Sequence, residues 1–294
     1  MYAQMLSVSP SRMVVYDEWQ GDRSYSRSHP VSLDNLIDNK HKGKISNAAG
    51  KRMRNAIDWL MCYADKKKVY QRERKVKFNY LIGFVTLTLS AKQSHSDKVI
   101  KKTLLHQFLT EARWRWGVIH YVWKAEKQRN GNIHFHIVTD KFIPYRELRD
   151  CWNRIQSKLG YISRFAECHG HADPNSTDIH SVAKIKNVAA YVKKYMSKHE
   201  DEEQIEGNIW GLSYSLSRSK NLTMYMSEEI SKQFDYITNK YPDRYKTLDY
   251  CCLLSVNVFD FSKDLHNSIV SRFMSYVQEM KSLWCSSQTV LKCV

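Results

Sequence analysis

The feature that most restricts how this chain can fold is a hairpin signature between residues 118 and 140. Two runs rich in strand formers, Val118–Gln128 and Ile133–Asp140, flank the turn sequence Arg129-Asn130-Gly131. Asn-Gly between such runs signals antiparallel pairing, because the tight turn needs positive φ, which glycine adopts without steric cost. Helical segments surround this hairpin. The combination predicts an α+β domain built on a central antiparallel sheet flanked by helices, rather than a doubly wound parallel sheet.

The second run contains His134-Phe135-His136. Strand side chains alternate, so both imidazoles share one face while Phe135 points to the other, toward a core. Residues two apart on a strand lie roughly 7 Å apart at the backbone, close enough for their side chains to converge on one cation. Histidines are also tolerated on half-exposed sheet faces, so the pair alone does not define a metal site. A third ligand depends on hairpin register. A two-residue Asn130-Gly131 turn sets Glu126 opposite Phe135, on the wrong face. A three-residue loop with Gly131 in the left-handed region sets Glu126 beside His134. The sequence fits both turns. Two imidazoles and a carboxylate with open coordination positions suit a divalent ion that must also touch substrate oxygens.

A second constellation lies at Tyr191-Val192-Lys193-Lys194-Tyr195-Met196-Ser197-Lys198. Ile185, Val188, Ala189, Val192 and Met196 form an apolar stripe at helical spacing, which predicts a helix from about Ile185 to His199. Tyr191 and Tyr195 are then neighbours at i, i+4, each followed three residues later by a lysine, Lys194 or Lys198. The bland reading is tyrosines that border the core beside lysines whose stems lie along it. The chemical reading is two interchangeable nucleophiles. A phenol has a pKa near 10, so roughly one in a thousand is ionised at neutral pH and help from an ammonium and a polarised phosphate is needed. Attack on a phosphodiester exchanges one ester for another, giving a 5′-phosphotyrosine and a free 3′-hydroxyl.

Charge supplies the partner class. The chain has 46 Lys and Arg against 30 Asp and Glu, a net +16, which favours a polyanion such as nucleic acid. No run of apolar residues is long enough for a transmembrane helix, and no secretory signal opens the sequence. Seven cysteines without paired CxxC spacing suit a reducing cytoplasm. Phosphate-neutralising candidates are Lys66–Lys68, Arg72, Arg74, Lys75, Lys77, Lys101, Lys102, Arg113 and Arg115, with Trp114, Trp116 and Trp123 as stacking faces for unpaired bases. Trp123 is equally a core residue on its alternating strand. Cys168-His169-Gly170-His171 lacks a second ligand pair at zinc-finger spacing and reads as a loop. His180 faces the site or simply packs, and Cys251-Cys252 reads as buried packing.

Along the rest of the chain, residues 1–43 read as a loosely ordered basic lead-in, 44–225 as the main domain, and 226–294 as a mainly helical extension packed on it. Ser46 caps a helix to about Ala64 with Ala49, Met53, Ala56, Leu60 and Tyr63 inward. Lys66–Lys77 reads as a basic connector before a strand in Phe78–Ser90. A helix follows at Asp97–Arg113. Pro144 and Gly160 frame another, carrying Leu148, Trp152, Ile155 and Leu159. A loop at Ala166–Thr177 precedes a strand at Asp178–Ala183. Later come a strand near Trp210–Leu216, a helix at Ser227–Lys240, a strand-like Cys251–Phe261 and a helix through Leu265, Ile269, Phe273, Val277 and Met280.

Three motifs in this order resemble the HUH endonuclease superfamily, in particular its two-tyrosine rolling-circle replication initiators of the type found in microvirus-like single-stranded DNA bacteriophages. Phe84-Val85-Thr86-Leu87-Thr88 is similar to the first motif, a core strand. His134-Phe135-His136, with Glu126 and Gly131 before it, is similar to the metal-binding second. Tyr191 through Lys198 is similar to the third. The likeness spans roughly residues 45–225. It implies a histidine strand in the middle of the sheet, facing the tyrosine helix, and Mg²⁺ or Mn²⁺ held by His134, His136 and Glu126. It further implies origin-specific nicking of single-stranded DNA, with Tyr191 and Tyr195 alternating as nucleophiles, Lys194 and Lys198 near phosphate, and the freed 3′-hydroxyl priming synthesis. No GxxxxGK[ST] loop is present, so strand separation falls to a host helicase working with a host DNA polymerase. Relaxases and two-tyrosine transposases share this chemistry. A non-catalytic basic nucleic-acid-binding module is the reading from a different class.

Overall fold

The computed structural model describes residues 1–21, 45–71, 75–181, 205–257 and 268–291. The chain divides into two compact units, one of residues 1–39 and 218–294, the other of residues 40–217. The first opens with strands β1 (Tyr2–Ser9) and β2 (Arg12–Trp19), paired antiparallel from Tyr2↔Trp19 to Ser9↔Arg12. This corrects the expectation of a loosely ordered lead-in over those residues. Pro10 and Ser11 form the two-residue link, and Leu6, Val8, Met13 and Val15 are buried. Apolar alternation is present, but in short strands interrupted by a proline that reads as loop punctuation.

The second unit begins with helix α1 (Asn47–Tyr63), whose N-cap Ser46 accepts a hydrogen bond from the Ala49 amide. All five residues of the expected inward stripe are buried. The basic connector is instead a hairpin of β3 (Lys67–Gln71) and β4 (Val76–Tyr80). Strand β5 (Gly83–Leu87) then enters the main sheet. Helix α2 (Asp97–Ile100) continues through a π-helical turn at Lys101–Leu105 into α3 (His106–Trp116), which stops at Gly117 with φ 67°. Strands β6 (Tyr121–Lys127) and β7 (Ile133–Thr139) form the expected hairpin. Helix α4 (Tyr145–Ser157) follows Pro144, and α5 (Tyr161–His169) follows Gly160. Part of the predicted Ala166–Thr177 loop is therefore helical. Strands β8 (Thr177–Ser181) and β9 (Trp210–Leu212) and the single-turn α6 (Tyr214–Ser217) complete the unit.

These strands form an all-antiparallel sheet in the order β8-β5-β7-β6-β9, with the histidine strand in the middle as expected. One face is apolar. Phe135 meets Trp152 of α4 edge to face at 6.5 Å between ring centroids, and Trp152 meets Phe108 of α3 at 5.9 Å. The Trp152 indole also donates to the Thr88 carbonyl at 2.7 Å, so the helix is fixed in position as well as packed.

The rest of the first unit is β10 (Leu222–Tyr225), α7 (Glu228–Lys240), β11 (Tyr245–Leu248), β12 (Cys251–Ser255) and α8 (Ser268–Leu291). Its sheet runs β10-β1-β2-β12-β11, again antiparallel, so the C-terminal region is mixed rather than mainly helical. Ser227 caps α7 as expected, and Ile230, Phe234 and Ile237 line its buried side. Ile269, Phe273 and Val277 of α8 are buried. No helix among the described residues is long and apolar enough to cross a membrane.

Candidate metal centre

The β6–β7 turn settles the register left open by the sequence. Gln128 and Asn132 close the hairpin through a 2.8 Å backbone bond, leaving Arg129, Asn130 and Gly131 as a three-residue loop with Gly131 at φ 80°. Glu126 therefore pairs with His134, and Lys124 with His136. Directly paired residues project to the same side of an antiparallel sheet. Glu126, His134, His136 and Lys124 consequently share one face, and Phe135 is on the other, fully buried.

Glu126 Oε2 lies 3.4 Å from His134 Nε2 and 3.2 Å from His136 Nε2. The ligand atoms of the three residues lie within 4.8 Å of one another. An ion bonded at about 2.0–2.2 Å sets neighbouring ligand atoms roughly 3.0–3.5 Å apart, so the donor spacing fits a shared cation. Among the described residues this is the one group of three or more His, Cys, Asp or Glu with such convergence. The two imidazoles meet edge to face at 4.6 Å between centroids. All three side chains are largely shielded, yet none is sealed, with 12 to 16% of each side chain exposed.

Two neighbours hold this arrangement, and one of them escaped the reading of the sequence. Thr86 Oγ1 is 3.2 Å from His136 Nδ1. With Nε2 turned toward Glu126 as a lone-pair donor, Nδ1–H donates to the threonine hydroxyl and fixes tautomer and ring orientation. Lys124, whose side chain is only 5% exposed, donates to Glu126 Oε1. That leaves Oε2 for the histidines. Burial pushes the Glu126 carboxyl up, but hydrogen bonds from His134, His136 and Lys124 outweigh it and hold the group well below the usual carboxylate range. The carboxylate is thus a ready anion. Lysine in a strand usually signals a solvated position; its spacing of two residues from Glu126 was the available clue. The same pairing row continues to Asp178 on β8 through Thr86 and to Trp210 on β9 through Lys124.

Tyr191, Lys194, Tyr195 and Lys198, with the helix expected around them, lie outside the described residues, as do Arg72 and Arg74. Of the other expected DNA contacts, Trp114 is exposed, whereas the Trp116 indole donates to Glu147. Trp123 packs edge to face against Phe135 and lies so close over Gly211 that a Cβ there would meet its indole at 2.6 Å, which is a packing role. Lys101 donates to the Glu206 and Asn208 carbonyls and Arg115 pairs with Glu111, so both have structural partners. Cys168 and His169 end α5 and join no metal-type group, and His180 pairs with Asp178 at 2.6 Å. Cys251 and Cys252 are half-buried rather than buried.

Residues 82–200 match the family model for the replication-associated protein of the ORF2 type. No curated protein and no solved structure matches the chain. The matched segment contains β5, β6 and β7, and therefore every residue of the candidate centre. This part of the chain is thus similar to replication-associated proteins, and its one convergent donor cluster fits a divalent metal ion.

Proposed function

We propose that the protein is a replication initiator that nicks single-stranded DNA at an origin, joins its tyrosine to the 5′-phosphate and frees a 3′-hydroxyl primer. The observation that carries this reading is the Glu126–His134–His136 cluster on the middle of an antiparallel sheet, inside the segment similar to replication-associated proteins. It resembles the HUH arrangement. Tyr191 and Tyr195, with Lys194 and Lys198, are the proposed nucleophile pair on sequence grounds alone.

His134, His136 and Glu126 would hold Mg²⁺ or Mn²⁺, which when bound supplies Lewis-acid polarisation of a phosphate oxygen. The chain's own residues account for the remainder. Lys124 keeps Glu126 anionic and one of its oxygens turned to the histidines, and Thr86 orients His136. A tyrosine phenol loses its proton with help from the adjacent ammonium groups, and its oxygen attacks phosphorus. The bond from phosphorus to the 3′-oxygen breaks, and that oxygen takes up a proton. Since one phosphate ester replaces another, the second tyrosine can reverse the step on a new strand and rejoin ends.

The test is a denaturant-resistant adduct between the protein and single-stranded DNA in Mn²⁺ or Mg²⁺. The wild type forms one, and Tyr191→Phe combined with Tyr195→Phe abolishes it while DNA affinity is retained. A double variant that still cuts, or a wild type that binds without ever forming an adduct, contradicts the reading.

A further inference from the structure

A pocket of about 620 Å³ opens between the β5–α2 loop, the β6–β7 turn and α5. Its size is within the range of small-ligand sites, and it takes no part in the metal cluster. Lys92, Asn130, Asn132, Arg164, Phe165 and His169 are among its lining residues.

The loop that forms one wall is irregular yet firmly pinned. The Ser90 amide donates to Gln156 Oε1 at 2.8 Å, and the Gln93 amide to Asn132 Oδ1 at 2.8 Å. Asn132 Nδ2 donates to the Ala91 carbonyl at 3.0 Å, and Gln93 Oε1 accepts from the Ile133 amide at 2.7 Å. Gln93 Nε2 donates to Asp97 Oδ1 at 2.7 Å, and Arg164 reaches the Ser94 hydroxyl. Such a network orders the loop before any ligand arrives, which removes much of the entropic cost of binding. The other wall is aromatic. Phe165 lies against His169 with ring centroids 4.3 Å apart at 32°, and against His171 at 5.2 Å and 78°. Cations stand at the rim: Lys92 is exposed, and Arg129 is exposed in the turn next to Asn130.

An aromatic wall, side-chain amides and a cationic rim match the parts of a nucleotide: a flat base, its polar edge and its phosphate. The pocket also lies along the path toward the metal cluster. Asn132 precedes His134 by two residues, roughly 7 Å along the chain in extended backbone. Resting on the function proposed above, we infer that this pocket holds one unpaired nucleotide of the single-stranded DNA substrate, near the bond to be cut, with its base against Phe165 and His169 and its phosphate at Lys92 and Arg164.

The experiment is fluorescence anisotropy of the full chain with a labelled single-stranded DNA oligonucleotide of mixed sequence, without divalent metal, over a salt series. Stacking is worth about 1–3 kcal/mol per base, so Phe165→Ala should weaken binding about 5- to 150-fold, and Phe165→Trp should restore it. Lys92→Ala, at an exposed position that does not threaten folding, should make the salt dependence shallower by about 0.7 in the log–log slope. Unchanged affinity and slope in both alanine variants overturn the inference. So does equal competition by the duplex of the same sequence, or an RNA oligonucleotide that binds with the same dependence on Phe165. Because no cutting is measured, absence of an adduct in the metal-dependent assay rejects the nicking chemistry and leaves this result readable by itself.

Discussion

The two faces of the sheet in the second unit use the same five strands for opposite purposes. On β7, Ile133, Phe135 and Ile137 point to one side and are essentially removed from solvent. His134 and His136 point to the other and keep 16% and 12% of their side chains exposed. The apolar face holds α4 in place through Phe135, Trp152 and Phe108, and its contribution is packing. The polar face gathers two imidazoles, a carboxylate and an ammonium, an arrangement that gives up apolar burial to keep donor atoms in fixed register. Stability and chemistry are thus separated by the alternation of a single strand.

That separation can be broken from either side. The largest stability effect expected is Phe135→Ala, at about 3–5 kcal/mol, because a fully buried ring is deleted from a packed aromatic cluster. His134→Ala, on the other face of the same strand, should cost no more than about 1 kcal/mol by comparison, since no packed core is opened. Urea denaturation of both variants checks the ordering, and equal losses would mean that the two faces are not functionally distinct.

A smaller, pH-dependent effect sharpens the picture at the end of β7. Asp140 is buried, and burial raises its carboxyl from 3.8 to about 6, against the opposing influence of Lys141 and the His120 amide. The folded chain therefore binds a proton that the unfolded chain has already released between those two values. Stability should fall as pH rises through that window and remain lower above it, by at most about 3 kcal/mol. Asp140→Asn still offers an oxygen to the His120 amide, which the wild-type Oδ1 accepts at 3.3 Å. The variant should flatten the stability profile between pH 4 and 6 and be the more stable protein at neutral pH. A profile unchanged by the substitution would show that Asp140 does not carry it.

The parts of the structure that were legible in the sequence are those where a period and a boundary signal agree. Ser46 and Ser227 at helix starts, Gly117 and Gly160 at positive φ, and the β6–β7 alternation all give local energetics and tertiary placement the same answer. The histidine face followed from alternation alone. Whether Glu126 joined it did not, because Asn130-Gly131 supports two turns and only the pairing of Gln128 with Asn132 selects one. The β1–β2 hairpin was missed because eight-residue strands around Pro10 pair with strands from the far end of the chain, a partnership no local window contains. In β3, Lys67 and Lys68 beside Val69 and Tyr70 hid strand character behind charge. Lys124 was passed over for a related reason: its burial is a consequence of sheet position beside Glu126, not of its own polarity.

The central claim is that one strand face presents a divalent-metal site, and Mn²⁺ titration followed by electron paramagnetic resonance tests it most directly. The wild-type chain should take up one Mn²⁺ at this cluster, and His134→Ala combined with His136→Ala should lower affinity by more than about 100-fold while circular dichroism stays unchanged. Mn²⁺ binding of equal strength in the folded double variant would contradict the account.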